Sequence, residues 1–294
     1  MRIGIDLGGH TITMASFDND LEICEILDLD TPSSRTLADV ASVLEDKLSF
    51  LLQGNICEGI GIGIPGMMDR KRQKVIKLPN FSGWEGADVP RVLKEIIGVP
   101  VYMENDANCY ALGERYRGLG RGVDDFIVFT LGTGIGGGII SDGRLLLGSH
   151  GMAGELGHIA TGSKRTCGCG AIGHLETESG ADGLERKALE RGSRSSVISL
   201  WEERKQPDVA ELWDNAFDSL ARAICSCIHI IDPEMIILGG GISQAEGLLE
   251  YISPFIERYL VPSFRGKVSI RVSRLGNRAA VIGAASIVPH DQKA

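Results

Sequence analysis

Leu131-Gly132-Thr133-Gly134-Ile135-Gly136-Gly137-Gly138 is the stretch on which the fold turns. Its spacing fits G-x-G-x-x-G, the fingerprint of a dinucleotide turn, which needs a strand before it, a helix after it and an acid about 20 residues on. Here the apolar run 125–131 leads in as a strand, but 134–141 continues as a second strand, and Asp142-Gly143 turns into a third. A strand–glycine turn–strand is not a nicotinamide or flavin site. It can still hold phosphate: successive N–H groups in a tight turn form an anion nest, and glycine removes the Cβ atoms that would hold the anion off. Thr133 adds a hydroxyl donor. Gly61-Ile62-Gly63-Ile64-Pro65-Gly66 has the same spacing and fails the same test, because it runs into Pro65 and a polar loop rich in bases. The chain contains no G-x-x-x-x-G-K-[ST] loop.

Upstream, residues 2–7 and 11–17 read as strands joined by a second glycine turn, Asp6-Leu7-Gly8-Gly9, whose carboxylate suits a Mg²⁺ shell. A third strand follows at 22–30. Leu37, Val40, Val43, Leu44, Leu48 and Leu51 recur at helical spacing. Then come a strand at 58–64, a helix at 88–97 and a strand at 99–104. Asn105 and Asp106, both good N-cap types, open a helix to about Arg117. Downstream, a glycine- and cysteine-rich stretch spans 148–175, and helices are expected at 181–191, 195–203 and 208–231. A strand at 235–238 leads through Gly239-Gly240-Gly241, where a flat adenine ring could lie on the backbone, to a helix at 245–258. A strand at 268–272 and a helix at 278–288 close the chain. Two halves with one element order predict a duplicated α/β unit with its ligand in the crevice between halves.

Composition limits the function classes. Glycine supplies 39 of 294 residues, about 13% against a usual ~7%, clustered at 8–9, 59–66, 132–138, 148–157, 168–173 and 239–241. With 39 acids against 30 bases the net charge is −9. The basic run Arg70-Lys71-Arg72 is short, so no nucleic-acid partner is expected. No apolar run reaches the ~18–20 residues of a membrane span. The start, Met1 to Asp6, places an acid in its first apolar stretch and carries no cleavage pattern, which predicts a cytoplasmic protein. Seven cysteines then serve as thiols or metal ligands. His158, Cys167, Cys169 and His174 fall within 17 residues and suit tetrahedral Zn²⁺. Cys24, Cys57, Cys109, Cys225 and Cys227 read as buried small apolar residues.

Asp-Leu-Gly-Gly at 6–9, the glycine stretch at 131–138 and Leu-Gly-Gly-Gly at 238–241 resemble the two phosphate motifs and the adenosine motif of the sugar kinase/Hsp70/actin superfamily. More narrowly, Glu104-Asn105-Asp106-Ala107-Asn108, Gly154-Glu155-Leu156-Gly157-His158 and the run from Cys167 and Cys169 to His174 and Glu176 resemble the ROK family (repressors, open reading frames, kinases). The match runs from residue 3 to about 286. ROK repressors carry a helix-turn-helix before the first motif; here that motif begins at residue 3, so the resemblance implies a kinase.

The resemblance implies an α/β fold of two actin-like (ribonuclease H-like) domains with a ligand cleft between them. Residues 1–117 plus 276–294 would form the smaller, and 118–275 the larger with the zinc loop. It implies ATP, Mg²⁺ and structural Zn²⁺ as cofactors, a homodimer, and a hexose kinase of the glucokinase type. Kinases of N-acetylhexosamines, allose or fructose are the alternatives, as is a catalytically weak sugar-sensing protein. By resemblance Asp106 is the general base, taking the proton of the attacking hydroxyl, and it binds sugar with Asn105, Glu155, His158, Glu176 and Gly66. Asp6, Gly8, Gly9, His10, Thr11, Gly132, Thr133, Gly134, Gly239, Gly240 and Gly241 bind ATP, Asp6 also reaching Mg²⁺ indirectly. His158, Cys167, Cys169 and His174 hold zinc, His158 through one ring nitrogen while the other meets sugar. Two positions depart from the family pattern. His10 stands where threonine is usual, moving the hydroxyl to Thr11, and adjacent strand residues face opposite sides. His174 stands where the family has a third cysteine.

Overall fold

The computed structural model describes residues 1–78, 80–81 and 83–289; positions 290–294 of the expected C-terminal return lie outside the described residues. The chain divides into two compact units, Met1–Gly122 with Leu145–Ala153 and Asn277–Ala294, and Val123–Arg144 with Gly154–Gly276. The segment Leu145–Ala153 groups with the first unit although the chain on both sides of it groups with the second.

The first unit contains β1 (Arg2–Leu7), β2 (Thr11–Phe17), β3 (Ile23–Asp30), α1 (Leu37–Leu52), β4 (Gly59–Ile64), β5 (Met67–Met68), β6 (Val75–Lys77), α2 (Val89–Ile97), β7 (Val101–Asn105) and α3 (Asp106–Arg117). Its sheet has the order β3-β2-β1-β4-β7. β2 is antiparallel to its neighbours, while β1, β4 and β7 run parallel. β4 is buried along its whole length and is accordingly all glycine and isoleucine, the near-continuous apolar run of a parallel strand covered on both faces. β3 is the edge strand and alternates between more and less exposed residues. That alternation turns Cys24 outward, contrary to the buried position expected for it; Cys57 is half-buried, and Cys109, Cys225 and Cys227 are buried as expected. The polar loop expected after Ile64 contains the short β5–β6 ladder, Met67 facing Lys77 and Met68 facing Val75.

The second unit contains β8 (Phe126–Leu131), β9 (Ile135–Ser141), β10 (Arg144–Leu145, ending on the first residue of the segment that groups with the first unit), α4 (Glu176–Ser179), α5 (Ala181–Glu190), α6 (Val197–Glu202), α7 (Pro207–Ile231), β11 (Met235–Gly239), α8 (Leu248–Tyr259) and β12 (Ser269–Val272). Its sheet order is β10-β9-β8-β11-β12. Counted within each unit, both sheets read 3-2-1-4-5, so the repeat too faint to trace residue by residue is complete at the level of topology. The last helix, α9 (Arg278–Ser286), belongs to the first unit and packs on α3, β1 and β4. Glycine makes that approach possible: a Cβ at Gly283 would strike the Cys109 carbonyl, and one at Gly61 the Ala284 carbonyl. Among the described residues no helix is long and apolar enough to cross a membrane.

Candidate active site

Because β1, β4 and β7 are parallel, their C-terminal ends lie along one edge of the first sheet. The register sets Asp6 beside Gly63 and Gly63 beside Glu104. α3 starts at that edge. Of the two cap candidates, Asn105 is the N-cap, its side chain accepting the Asn108 N–H at 3.0 Å. Asp106 is the first helical residue, and its Oδ1 accepts the Ala107 N–H at 2.8 Å. Asn105 Nδ2 donates to the Gly66 carbonyl at 3.2 Å. Gly66 has φ 145°, and a side chain there would strike the Lys77 carbonyl, so the loop end is shaped by glycine.

Asp6 and Asp106 are half-buried. Burial pushes Asp106 up to about 6, against the backbone N–H bonds that favour its charge. Asp6 is pushed up to about 7, first by burial and then by the negative charge of Asp106. A carboxylate whose proton affinity sits just below neutral is ionised yet basic, the compromise general-base catalysis favours.

The first glycine turn is closed by the Gly8 N–H donating to the Thr11 carbonyl at 2.9 Å. Thr31, which sequence reasoning missed, braces it from outside: its N–H donates to the His10 carbonyl at 2.9 Å and its Oγ1 to the Gly8 carbonyl at 2.8 Å. The only signal was a Thr-Pro step after a strand. His10 and Thr11 are both exposed, so the alternation expected of adjacent strand residues does not separate them by burial.

In the second unit the turn after β8 is braced by a helix. The carbonyls of Gly132 and Thr133 accept from the Ala181 and Asp182 N–H groups at 2.9 and 3.1 Å, at the N-terminus of α5. In each trans peptide the C=O and the following N–H point opposite ways. The Thr133 and Gly134 N–H groups therefore face away from α5, as an anion nest requires. Gly239 pairs with Thr130, which brings Gly240 (φ 81°) against the Leu131 backbone, where a Cβ would not fit. Both glycine motifs of this unit thus lie at one end of its sheet.

The four zinc candidates converge. Their ligand atoms all lie within 4.8 Å of one another. His158 Nδ1 and His174 Nδ1 are 3.1 Å apart, Cys169 Sγ and His174 Nδ1 3.3 Å, Cys167 Sγ and His158 Nδ1 3.8 Å. Zn–N near 2.05 Å and Zn–S near 2.3 Å give a tetrahedron with edges of about 3.3–3.8 Å, close to the three separations above, so the donor set, His174 included, suits one ion once its widest separation, up to 4.8 Å, draws in. Leu175 N–H to Ile159 carbonyl at 2.9 Å, with isolated bridges at Ala160–His174 and Thr166–Ile172, knits the surrounding loop. His158 Nε2 faces Glu155 Oε2 at 3.9 Å. Glu176 Oε1 accepts from Cys167 Sγ at 2.6 Å, and its Oε2 lies 2.9 Å from where a Gly134 Cβ would be. Glu155, His158 and Glu176 therefore gather around the metal donors, with Glu176 beside the phosphate turn.

Two residues of the first unit had not been singled out. Glu104 is buried and ion-paired to Arg72 at 2.8 Å. Glu104 had a signal, since it opens the Glu-Asn-Asp-Ala-Asn stretch. Arg72 had none beyond a basic run.

Two α/β units of one strand order, each with a glycine turn between its first two strands, define a protein of the actin-like class. Narrower still, the ROK family pattern matches residues 2–291, and the chain belongs to the ROK family. A glucokinase of Thermotoga maritima is 35% identical over 307 residues, covering 97% of this chain and 96% of that one. A ROK hexokinase structure from Thermus thermophilus superposes with a TM-score of 0.84 at 32% identity, covering 96% of each chain. A ROK family glucokinase from Streptomyces griseus, solved with glucose and AMPPNP, gives a TM-score of 0.84 at 30% identity, covering 97% of this chain and 98% of that one.

Proposed function

We propose that the chain is an ATP-dependent sugar kinase acting on a hexose hydroxyl, of the glucokinase type. The observation that carries this is Asp106: a carboxylate at the first position of α3, raised by burial to about 6, within Glu-Asn-Asp-Ala-Asn. Asp106 accepts the proton of the attacking hydroxyl. Asn105 and Gly66, already hydrogen-bonded to each other, fix the acceptor beside it. From the second unit Glu155 and Glu176 accept from the remaining sugar hydroxyls, and His158, whose Nδ1 faces the metal donors, donates from Nε2 to a sugar oxygen. The Thr133 and Gly134 N–H groups take nucleotide phosphate, Gly132 gives the turn its shape, and Gly239, Gly240 and Gly241 provide the flat backbone for adenosine. Gly8, Gly9, His10 and Thr11 contribute the first turn, and Asp6 is the carboxylate that would hold Mg²⁺ indirectly. Mg²⁺ held there would supply positive charge against the phosphoryl oxygens. His158, Cys167, Cys169 and His174 would hold zinc as a structural ion, fastening the loop that presents Glu176.

Names of relatives at 30–35% identity over nearly the whole chain support the reading. The experiment is ADP release on a panel of glucose, mannose, fructose, allose, N-acetylglucosamine and N-acetylmannosamine. The highest kcat/KM is expected on glucose. A preference for an N-acetylhexosamine would move the substrate, and ATP turnover that no sugar stimulates would overturn the kinase reading in favour of a sugar sensor.

A further inference from the structure

We propose that Arg72 is a positioning residue for Asp106, acting through Glu104. The proposal rests on Asp106 being the base. Arg72 lies in the turn between β5 and β6 with φ 57°, an uncommon conformation for a side chain other than glycine. The turn is built to hold it there. The Arg72 N–H donates to the Asp69 carbonyl at 2.9 Å, and Asp69 Oδ1 accepts the Gln73 and Lys74 N–H groups at 2.7 Å each. From that turn the guanidinium runs inward; its side chain is 12% exposed and that of Glu104 6%.

The fork makes two kinds of contact. Arg72 Nε donates to Glu104 Oε2 at 2.8 Å, and Nη1 donates to the Gly151 carbonyl at 2.8 Å. The other Glu104 oxygen, Oε1, accepts the Asn105 N–H at 2.9 Å and Asn108 Nδ2 at 3.0 Å. Asn105 and Asn108 flank Asp106 in sequence, so one carboxylate pins the first turn of α3 on both sides of the base. Arg72 sets the rotamer of that carboxylate. It also ties down Leu145–Ala153, the segment of the first unit whose chain continues through Gly154 to Glu155. Arg72 Nη2 is buried with no hydrogen-bond partner among the described residues. A buried ion pair with an orphaned donor is a poor device for stability alone. Its strength is direction: a planar fork fixes two acceptors at a set angle, which a lysine cannot do.

The test uses Arg72→Lys and Glu104→Gln. Lysine keeps the charge but reaches one acceptor only. Glutamine keeps an oxygen for Asn105 and Asn108 and turns an NH₂ against Arg72 Nε, breaking the other arm. Steady-state kinetics on both, well below their melting temperatures and normalised to folded protein, should show kcat lower by about 10–100-fold, the scale of a small misplacement of a reacting group. The KM for ATP should stay within about twofold, and the double variant should be no worse than the worse single, as expected of one connected arm. A kcat within twofold of the parent in both variants, whatever happens to Tm, overturns the proposal and leaves a structural ion pair. Asp106→Asn is measured alongside. If it is impaired while these two are not, positioning alone fails; if Asp106→Asn is itself unimpaired, the base assignment fails and takes the proposal with it.

Discussion

Replacing Asp106 by asparagine separates the two jobs this residue does. The α3 cap is untouched, because it belongs to Asn105. The amide oxygen can still accept the Ala107 N–H that Oδ1 now accepts at 2.8 Å. What disappears is a charge held against desolvation. The rise from 3.8 to about 6 corresponds to about 3 kcal/mol of preference for the protonated form on folding, and partial solvent contact reduces it to about 1–2 kcal/mol. The sign follows from linkage: a raised acid is stabilising when protonated, fully so below about pH 4, and that contribution is lost as pH rises through about 6. Asparagine mimics the protonated acid at every pH. Asp106→Asn should therefore be more stable than the parent by about 1–2 kcal/mol at pH 7.5, a Tm higher by about 2–6 °C, with the gain gone by pH 4. Activity should move the other way, kcat falling about 10²–10⁴-fold with loss of the base. In the parent, kcat/KM should fall as pH drops from about 7 through about 6, where Asp6 and then Asp106 take up protons. Coupled ADP release across pH 5–9 and thermal melts at pH 7.5 and pH 4 read all three. A kcat within a few-fold of the parent, or a parent acid limb near pH 4, would refute the reasoning.

Protein purified without chelator should contain about one zinc per chain, and Cys167→Ala should lose the metal and open the 159–175 loop to protease; zinc-free protein of full activity would sink the assignment. Glu155→Gln and Glu176→Gln should raise sugar KM more than they lower kcat, the mark of ground-state binding, and the opposite split would move them into the chemical step. His10→Ala should raise the KM for ATP while leaving that for sugar alone; a silent result would leave the phosphate grip to Thr11 and the turn at 132–134.

Local order was legible wherever one period governed a segment. The parallel strands announced themselves as glycine and β-branched runs, α1 by its leucine and valine stripe, and α3 by Asn105 at its cap. The convergence of His158, Cys167, Cys169 and His174 was legible because thiols and imidazoles so close in sequence have few other uses. Features that depend on partners far apart in the chain were not. Nothing in Arg70-Lys71-Arg72 says that its last residue turns inward through a left-handed backbone to meet Glu104, 32 positions on. Nothing in residues 145–153 says that they group with the first unit. Thr31 braces a turn 23 residues upstream with one hydroxyl, a contact that leaves no periodic trace.

The repeated topology gives the His10 departure a physical setting. Aligned on their Leu-Gly steps, Asp6-Leu7-Gly8-Gly9-His10 of the first unit stands against Thr130-Leu131-Gly132-Thr133-Gly134 of the second. The scaffold is the same to the level of register, Asp6 pairing with Gly63 and Thr130 with Gly239 on the parallel neighbour strand. The side chains differ in charge. The first turn begins on a half-buried carboxylate and the second on a hydroxyl, with the Glu176 carboxylate beside Gly134. The first turn is also longer: Leu7 pairs across it with Ile12, whereas Leu131 pairs with Ile135. The extra residue lets the first loop project His10 and Thr11 into solvent, while the second is held flat against α5 by two carbonyl contacts. A turn whose N–H groups are held outward by a helix is the better seat for phosphate, and one that begins on a carboxylate the better neighbour for a cation. On the proposed reading Thr133 and Gly134 carry the larger share of the anion grip and the first turn the smaller, so His10→Ala should raise the KM for ATP only a few-fold.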